Sequence, residues 1–109
     1  MRFALTCFTL LSSAAFADCP ERLQRDPTFV ALAVDEKAPR PSSAADFNFV
    51  GNSTTFDALQ AKVGPPDGAK GEHRYLWCLA NGTIVEVELF SYGDVRAVRV
   101  DGKTIYKRK

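Results

Sequence analysis

The chain has 109 residues, with 14 Lys and Arg against 13 Asp and Glu, 46% hydrophobic residues and 3 cysteines. That length supports one small domain with a modest core of its own. Balanced charge with no long basic run gives no footprint for nucleic acid or an anionic membrane as a partner, and the terminal Lys107-Arg108-Lys109 cluster reads as a solvated end.

Residues 1–17, MRFALTCFTLLSSAAFA, set Arg2 before an apolar run from Phe3 to Leu11 and finish in Ala15-Phe16-Ala17. This is the charged, apolar and A-x-A order of a secretory signal peptide, with cleavage expected near Ala17. The apolar run is about half of what a bilayer span requires. Asp18 stands where a lipid-modified cysteine would need a small uncharged neighbour, so no lipid or other membrane anchor is expected. Cleavage removes Arg2 and Cys7, which balances the charge and leaves Cys19 and Cys78. An even pair in a small exported domain reads as an intramolecular disulfide, worth about 4 kcal/mol by loop-closure entropy. The expected location is periplasmic, or secreted.

Residues 18–46 form an N-terminal segment and linker belonging to the same domain as 47–109. Apolar Leu23, Phe29, Val30, Leu32 and Val34 are mixed with charges, and Pro27 interrupts any long helix, leaving room for a short one before it. Residues 37–45, KAPRPSSAA, read as loop. A helix is expected over 55–63: Thr54 and Asp57 resemble a capping box, Phe56, Leu59 and Val63 make one apolar stripe, and Gly64-Pro65-Pro66 stop it. The 68–72 segment reads as a turn, and the prolines beside Gly64 deny it the amide donors of a phosphate loop.

From Arg74 the runs RYLWCLA, TIVEVELF, VRAVRV and KTIYKR are separated by Asn81-Gly82, Tyr92-Gly93 and Asp101-Gly102. These turn pairs predict a four-stranded antiparallel meander. Two-residue turns would oppose Leu76 with Val87, Trp77 with Glu86, Cys78 with Val85, Val87 with Val98, Glu86 with Arg99, and Val98 with Ile105. One face then collects Leu76, Cys78, Val85, Val87, Leu89, Val98, Val100 and Ile105. The other collects Tyr75, Trp77, Glu86, Glu88, Arg99, Thr104 and Tyr106. The expected fold class is α+β, one short helix, with a possible N-terminal helix, packed on the apolar face of the meander.

The run Val50-Gly51-Asn52-Ser53-Thr54-Thr55-Phe56, followed by Val63-Gly64-Pro65-Pro66-Asp67, Tyr75 and the hydrophobic hairpins, resembles a superfamily of small exported domains. It includes the SmpA/OmlA outer-membrane assembly lipoproteins and the repeats of β-lactamase inhibitory protein. The resemblance spans about residues 47–106, and the chain departs from it in lacking a lipobox and in having one repeat rather than two. It implies a helix layer on an antiparallel sheet that binds protein partners without catalysis.

On the face opposite the expected core, Tyr75, Trp77 and Tyr106 beside Glu86, Glu88 and Arg99 have the composition of an interface hot spot. They are the candidate binding residues, for an envelope protein or a secreted hydrolase, with an inhibitor or immunity role as a narrower form. The competing reading is a small periplasmic hydrolase using His73, the single histidine, with Asp67 or Glu72. His73 in a loop lacks a nucleophile motif, and no second strong ligand accompanies it once the cysteines pair, so neither an enzyme nor a metal or other cofactor is expected.

Overall fold

The computed structural model describes residues 19–33 and 37–108, so the expected signal peptide lies outside the described residues. No helix among the described residues is long and apolar enough to cross a membrane. In chain order the elements are α1 (Glu21–Gln24), β1 (Phe29–Ala31), a 3₁₀ turn (Ala44–Phe47), α2 (Phe56–Val63), β2 (Gly68–Lys70), β3 (Arg74–Cys78), β4 (Ile84–Leu89), β5 (Val95–Val100) and β6 (Lys103–Lys107).

All six strands form one antiparallel sheet in the order β1-β2-β3-β4-β5-β6. This corrects the expected four-stranded α+β meander to a small β-rich fold. The two added strands are three residues each, too short to show an alternating pattern. β2 occupies the segment read as a turn. Its Gly68 is needed there because the Phe29 ring of β1 lies where a side chain would begin.

Helix α2 is capped by Thr55, whose hydroxyl accepts from the Ala58 N–H at 3.1 Å. The expected cap, Thr54, instead accepts from the Gly51 N–H at 2.9 Å and closes the preceding turn. Gly64 ends the helix at φ 86°, with the Pro39 carbonyl packed where a Cβ would stand.

The β3–β4 hairpin departs from the expected register by one residue. Tyr75 pairs with Val87, Leu76 with Glu86, Trp77 with Val85 and Cys78 with Ile84. The cause is the turn. Leu79 N–H bonds to Thr83 O at 2.9 Å and Gly82 N–H to Leu79 O at 2.9 Å, which makes Ala80-Asn81-Gly82 a three-residue loop with Gly82 at φ 89°. A one-residue slip turns every side chain of β3 to the other face. Tyr75, Trp77 and Leu79 therefore face α2, and Leu76 and Cys78 face away.

The β4–β5 pairs Val87 with Val98, Val85 with Val100 and Glu86 with Arg99 form as expected. Across β5–β6, Arg99 pairs with Thr104, but an irregularity between Val98 and Arg99 brings Tyr106 opposite Val98 in place of Ile105. Tyr106 consequently packs on the core, whereas Ile105 is 43% exposed.

Two apolar clusters result, one on each side of the sheet. On one side, Phe47 of the 3₁₀ turn and Leu59 and Val63 of α2 pack against Trp77, Val85 and Val98 of the sheet, with the Phe47 ring edge-on to Trp77 at 5.4 Å. On the opposite face Cys19, Leu23, Leu76 and Cys78 form a smaller cluster flanked by Phe29 and Ile84. Cys19 and Cys78 are joined by a disulfide with a Cα–Cα distance of 4.9 Å. The disulfide thus fastens the N-terminal arm to the face away from α2, not to the helix-covered face expected from sequence.

Candidate functional site

The six residues predicted to share a binding face are divided between the two sides of the sheet. Trp77 has 0% exposure, and its indole N–H donates to the Gly64 carbonyl at 3.2 Å. Tyr75 stacks on Phe56 with ring centroids 4.5 Å apart, and the Tyr106 hydroxyl donates to Asn52 Oδ1 at 2.7 Å. These three aromatics belong to the core side and do not form a docking surface.

Glu86, Glu88 and Arg99 do lie together, on the opposite face. Arg99 forks between the two carboxylates, donating to Glu86 Oε2 at 2.9 Å and to Glu88 Oε1 at 3.0 Å. The hydrogen bond to Glu88 is the largest influence holding the guanidinium pKa above its ordinary value. Glu88 also faces Arg96 at 3.8 Å. The group is a self-neutralised cross-strand network.

His73 sits in the β2–β3 turn at φ 63° with Glu72 3.9 Å away, and the Glu72 side chain is 92% exposed. Asp67, the other carboxylate considered for it, is committed elsewhere. It accepts two hydrogen bonds from Arg40 and a third from the Cys78 N–H at 2.7 Å. The structure therefore does not bring His73 and Asp67 together as an acid–base pair. Among the described residues no group of three or more His, Cys, Asp or Glu could hold a metal ion.

The tip of the β4–β5 hairpin, expected from sequence only as a turn, gathers aromatic and arginine side chains. Phe90 N–H bonds to Asp94 O at 2.9 Å and Gly93 N–H to Phe90 O at 3.0 Å, so Ser91-Tyr92-Gly93 is a three-residue loop with Gly93 at φ 98°. The loop throws Tyr92 outward, 66% exposed, yet its ring lies parallel to Phe90 with centroids 5.2 Å apart and planes 4° apart. The guanidinium of Arg96 lies 5.6 Å from the Phe90 ring centre and that of Arg108 lies 5.4 Å from it. Arg108 is anchored in turn by Asp94 at 3.1 Å.

The tip is also braced from below. Phe56 N–H donates to Gly93 O and Val95 N–H to Thr54 O, each at 3.0 Å, tying the hairpin to the start of α2. A concavity of about 330 Å³ lies at this junction, lined by Thr55, Phe56, Asp57, Leu89, Tyr92 and Asp94. The sequence signal available for this site was the close spacing of Phe90, Tyr92 and Arg96 around Gly93. Arg108 is brought in only by the pairing of β6 with β5.

A separate groove of about 460 Å³ opens on the disulfide side, between α1 and the sheet, with Glu86 and Arg99 among its lining residues. Comparison with protein-family models, with curated proteins and with solved structures returns no match.

Proposed function

We propose that the chain is an exported protein-binding module, working in the periplasm or another oxidising space outside the cytoplasm, that docks its partner through the β4–β5 tip. The observation that carries this reading is the exposed Tyr92 ring stacked on Phe90, the ring that Arg96 and Arg108 also approach. Tyrosine and arginine are the residues most enriched among interface hot spots, and a ring already held in a stack loses little freedom on docking. The two backbone ties to α2 keep the tip in place before any partner arrives.

Export is supported by the leader sequence and by the Cys19–Cys78 disulfide, a bond that persists in oxidising compartments. The resemblance of residues 47–106 to SmpA/OmlA and β-lactamase inhibitory protein domains points the same way, toward binding without catalysis. The partner class is an envelope protein or a secreted hydrolase, with inhibition or immunity as the narrower possibility.

The test is affinity capture from envelope and secreted fractions with the wild-type chain and with Tyr92→Ala. A hot-spot side chain contributes roughly 2 kcal/mol, so a specific partner should be retained about thirtyfold less well by the variant. A partner captured equally by both proteins would remove the tip from the binding site.

A further inference from the structure

The face of the sheet opposite α2 carries the groove between α1 and strands β2 to β5, which the proposed docking tip does not use. Its floor is apolar, made by Leu23, Leu76 and Ile84. Its volume of about 460 Å³ is within the range of sites for small ligands. Its charges are arranged by sign along its length. Arg22 on α1 and Lys70 on β2 stand at one side, and Asp101 in the β5–β6 turn stands at the other. Between them Glu86 and Arg99 neutralise each other across 2.9 Å.

We infer that this groove binds a short peptide with free, charged ends, about three residues long and with an aliphatic side chain in the middle. The length follows from the strand register. Lys70 is level with Arg74 and Asp101 with Ile84, so the two lie three strand spacings apart across the sheet and four residues apart along it, about 20 Å between backbones at roughly 4.8 Å per strand and 3.3 Å per residue. The Lys70 and Asp101 side chains and a hydrogen bond at each end take up about half of that span, and three extended residues, about 10 Å, cover the rest.

The polarity follows from the charges. The peptide carboxylate lies toward Arg22 and Lys70, and its ammonium lies toward Asp101. Arg22 makes no ion pair among the described residues that would need to be broken. Lys70 is bonded to Asp26 at 3.1 Å and keeps further donors free. One Asp101 oxygen accepts from the Ile84 N–H at 2.9 Å, leaving the second for a ligand. The Cys19–Cys78 disulfide holds the α1 wall of the groove in position.

The test is an amide-resolved NMR titration of the full, disulfide-bonded chain with Ala-Leu-Ala, with the same peptide acetylated and amidated at its ends, and with the organic anion isovalerate. Saturable shifts are expected at Arg22, Leu76, Ile84 and Asp101 with the free-ended peptide. Capping the ends, or substituting Arg22→Ala or Asp101→Asn, should each weaken binding about tenfold, the scale of one charged hydrogen bond. Both side chains are exposed, so unchanged thermal unfolding serves as the folding control. The inference is overturned if the capped peptide binds equally well, or if isovalerate binds as tightly as the peptide without dependence on Asp101. It is equally overturned if no saturable shift appears at millimolar peptide, or if shifts are confined to the Phe90–Arg108 tip.

Discussion

Arg40 and Asp67, 27 residues apart, are joined by two hydrogen bonds of 2.6 and 3.0 Å, and the same carboxylate takes the Cys78 N–H at 2.7 Å. One side chain thereby fastens the loop before the 3₁₀ turn to the strand that bears the disulfide. The Asp67 side chain is 4% exposed and that of Arg40 is 35% exposed, so the two halves of the pair are unequal. Asp67→Ala leaves the buried Cys78 N–H without an acceptor and the partly buried Arg40 guanidinium with only the Cys78 carbonyl at 3.4 Å, and should cost about 3 kcal/mol. Arg40→Ala leaves the carboxylate its backbone donor and access to water, and should cost about 1 to 2 kcal/mol. Urea unfolding of both variants measures the difference.

The single tryptophan gives a direct reading of register. Trp77 is fully buried, so the native protein should show blue-shifted emission, weak quenching by acrylamide and a red shift on unfolding. A Trp77 opposite Glu86 on an open face would give solvent-like emission in the folded state.

Reduction of Cys19–Cys78 should act unevenly. The bond closes a loop spanning a sequence separation of 59. Its loss should lower stability by about 4 kcal/mol in the chain-entropy model. The smaller cluster of Cys19, Leu23, Leu76 and Cys78 depends on this tether, whereas Trp77, Val85 and Val98 pack beneath α2 without it. Hydrogen exchange after mild reduction should therefore show early loss of protection in residues 20–31, with β4 and β5 still protected.

Asp26 provides a pH signature in the same arm. The Thr28 hydroxyl, then the Thr28 N–H, and then Lys70 hold its pKa down to about 2 from 3.8. A depressed folded-state pKa means that its contribution to stability is present above pH 3.8 and is lost as pH falls toward 2. NMR titration of the Asp26 carboxyl should give the low midpoint, and Thr28→Val should move it upward.

The legible parts of this fold were those with strong local chemistry. The α2 stripe with its Gly-Pro-Pro stop, the runs that became β3 to β6, and the pairing of Cys19 with Cys78 could all be read directly. β1 and β2 could not, because a three-residue strand containing Gly68 or Ala31 carries no periodicity. The β3 register failed for a sharper reason. Asn81-Gly82 suits either a two-residue turn or the last two positions of a three-residue loop, and RYLWCLA is apolar on both parities. The bulk of Tyr75, Trp77 and Leu79 against Leu76 and Cys78 was the signal that favoured the observed face. That slip carried Tyr75 and Trp77 to the core side, the irregularity between Val98 and Arg99 carried Tyr106 there, and Glu86, Glu88 and Arg99 stayed outside, while the Phe90–Tyr92 stack required the hairpin geometry.

Docking at the hairpin tip is tested most directly by site-specific photo-cross-linking in the cell that makes the protein. A benzophenone side chain placed at Tyr92 should yield a discrete covalent adduct with one protein, and Arg96→Glu in the same chain should diminish that adduct. The same probe at exposed Val30, on the far edge strand, should yield none. No adduct from position 92, or the same adduct from position 30, would contradict docking at the tip.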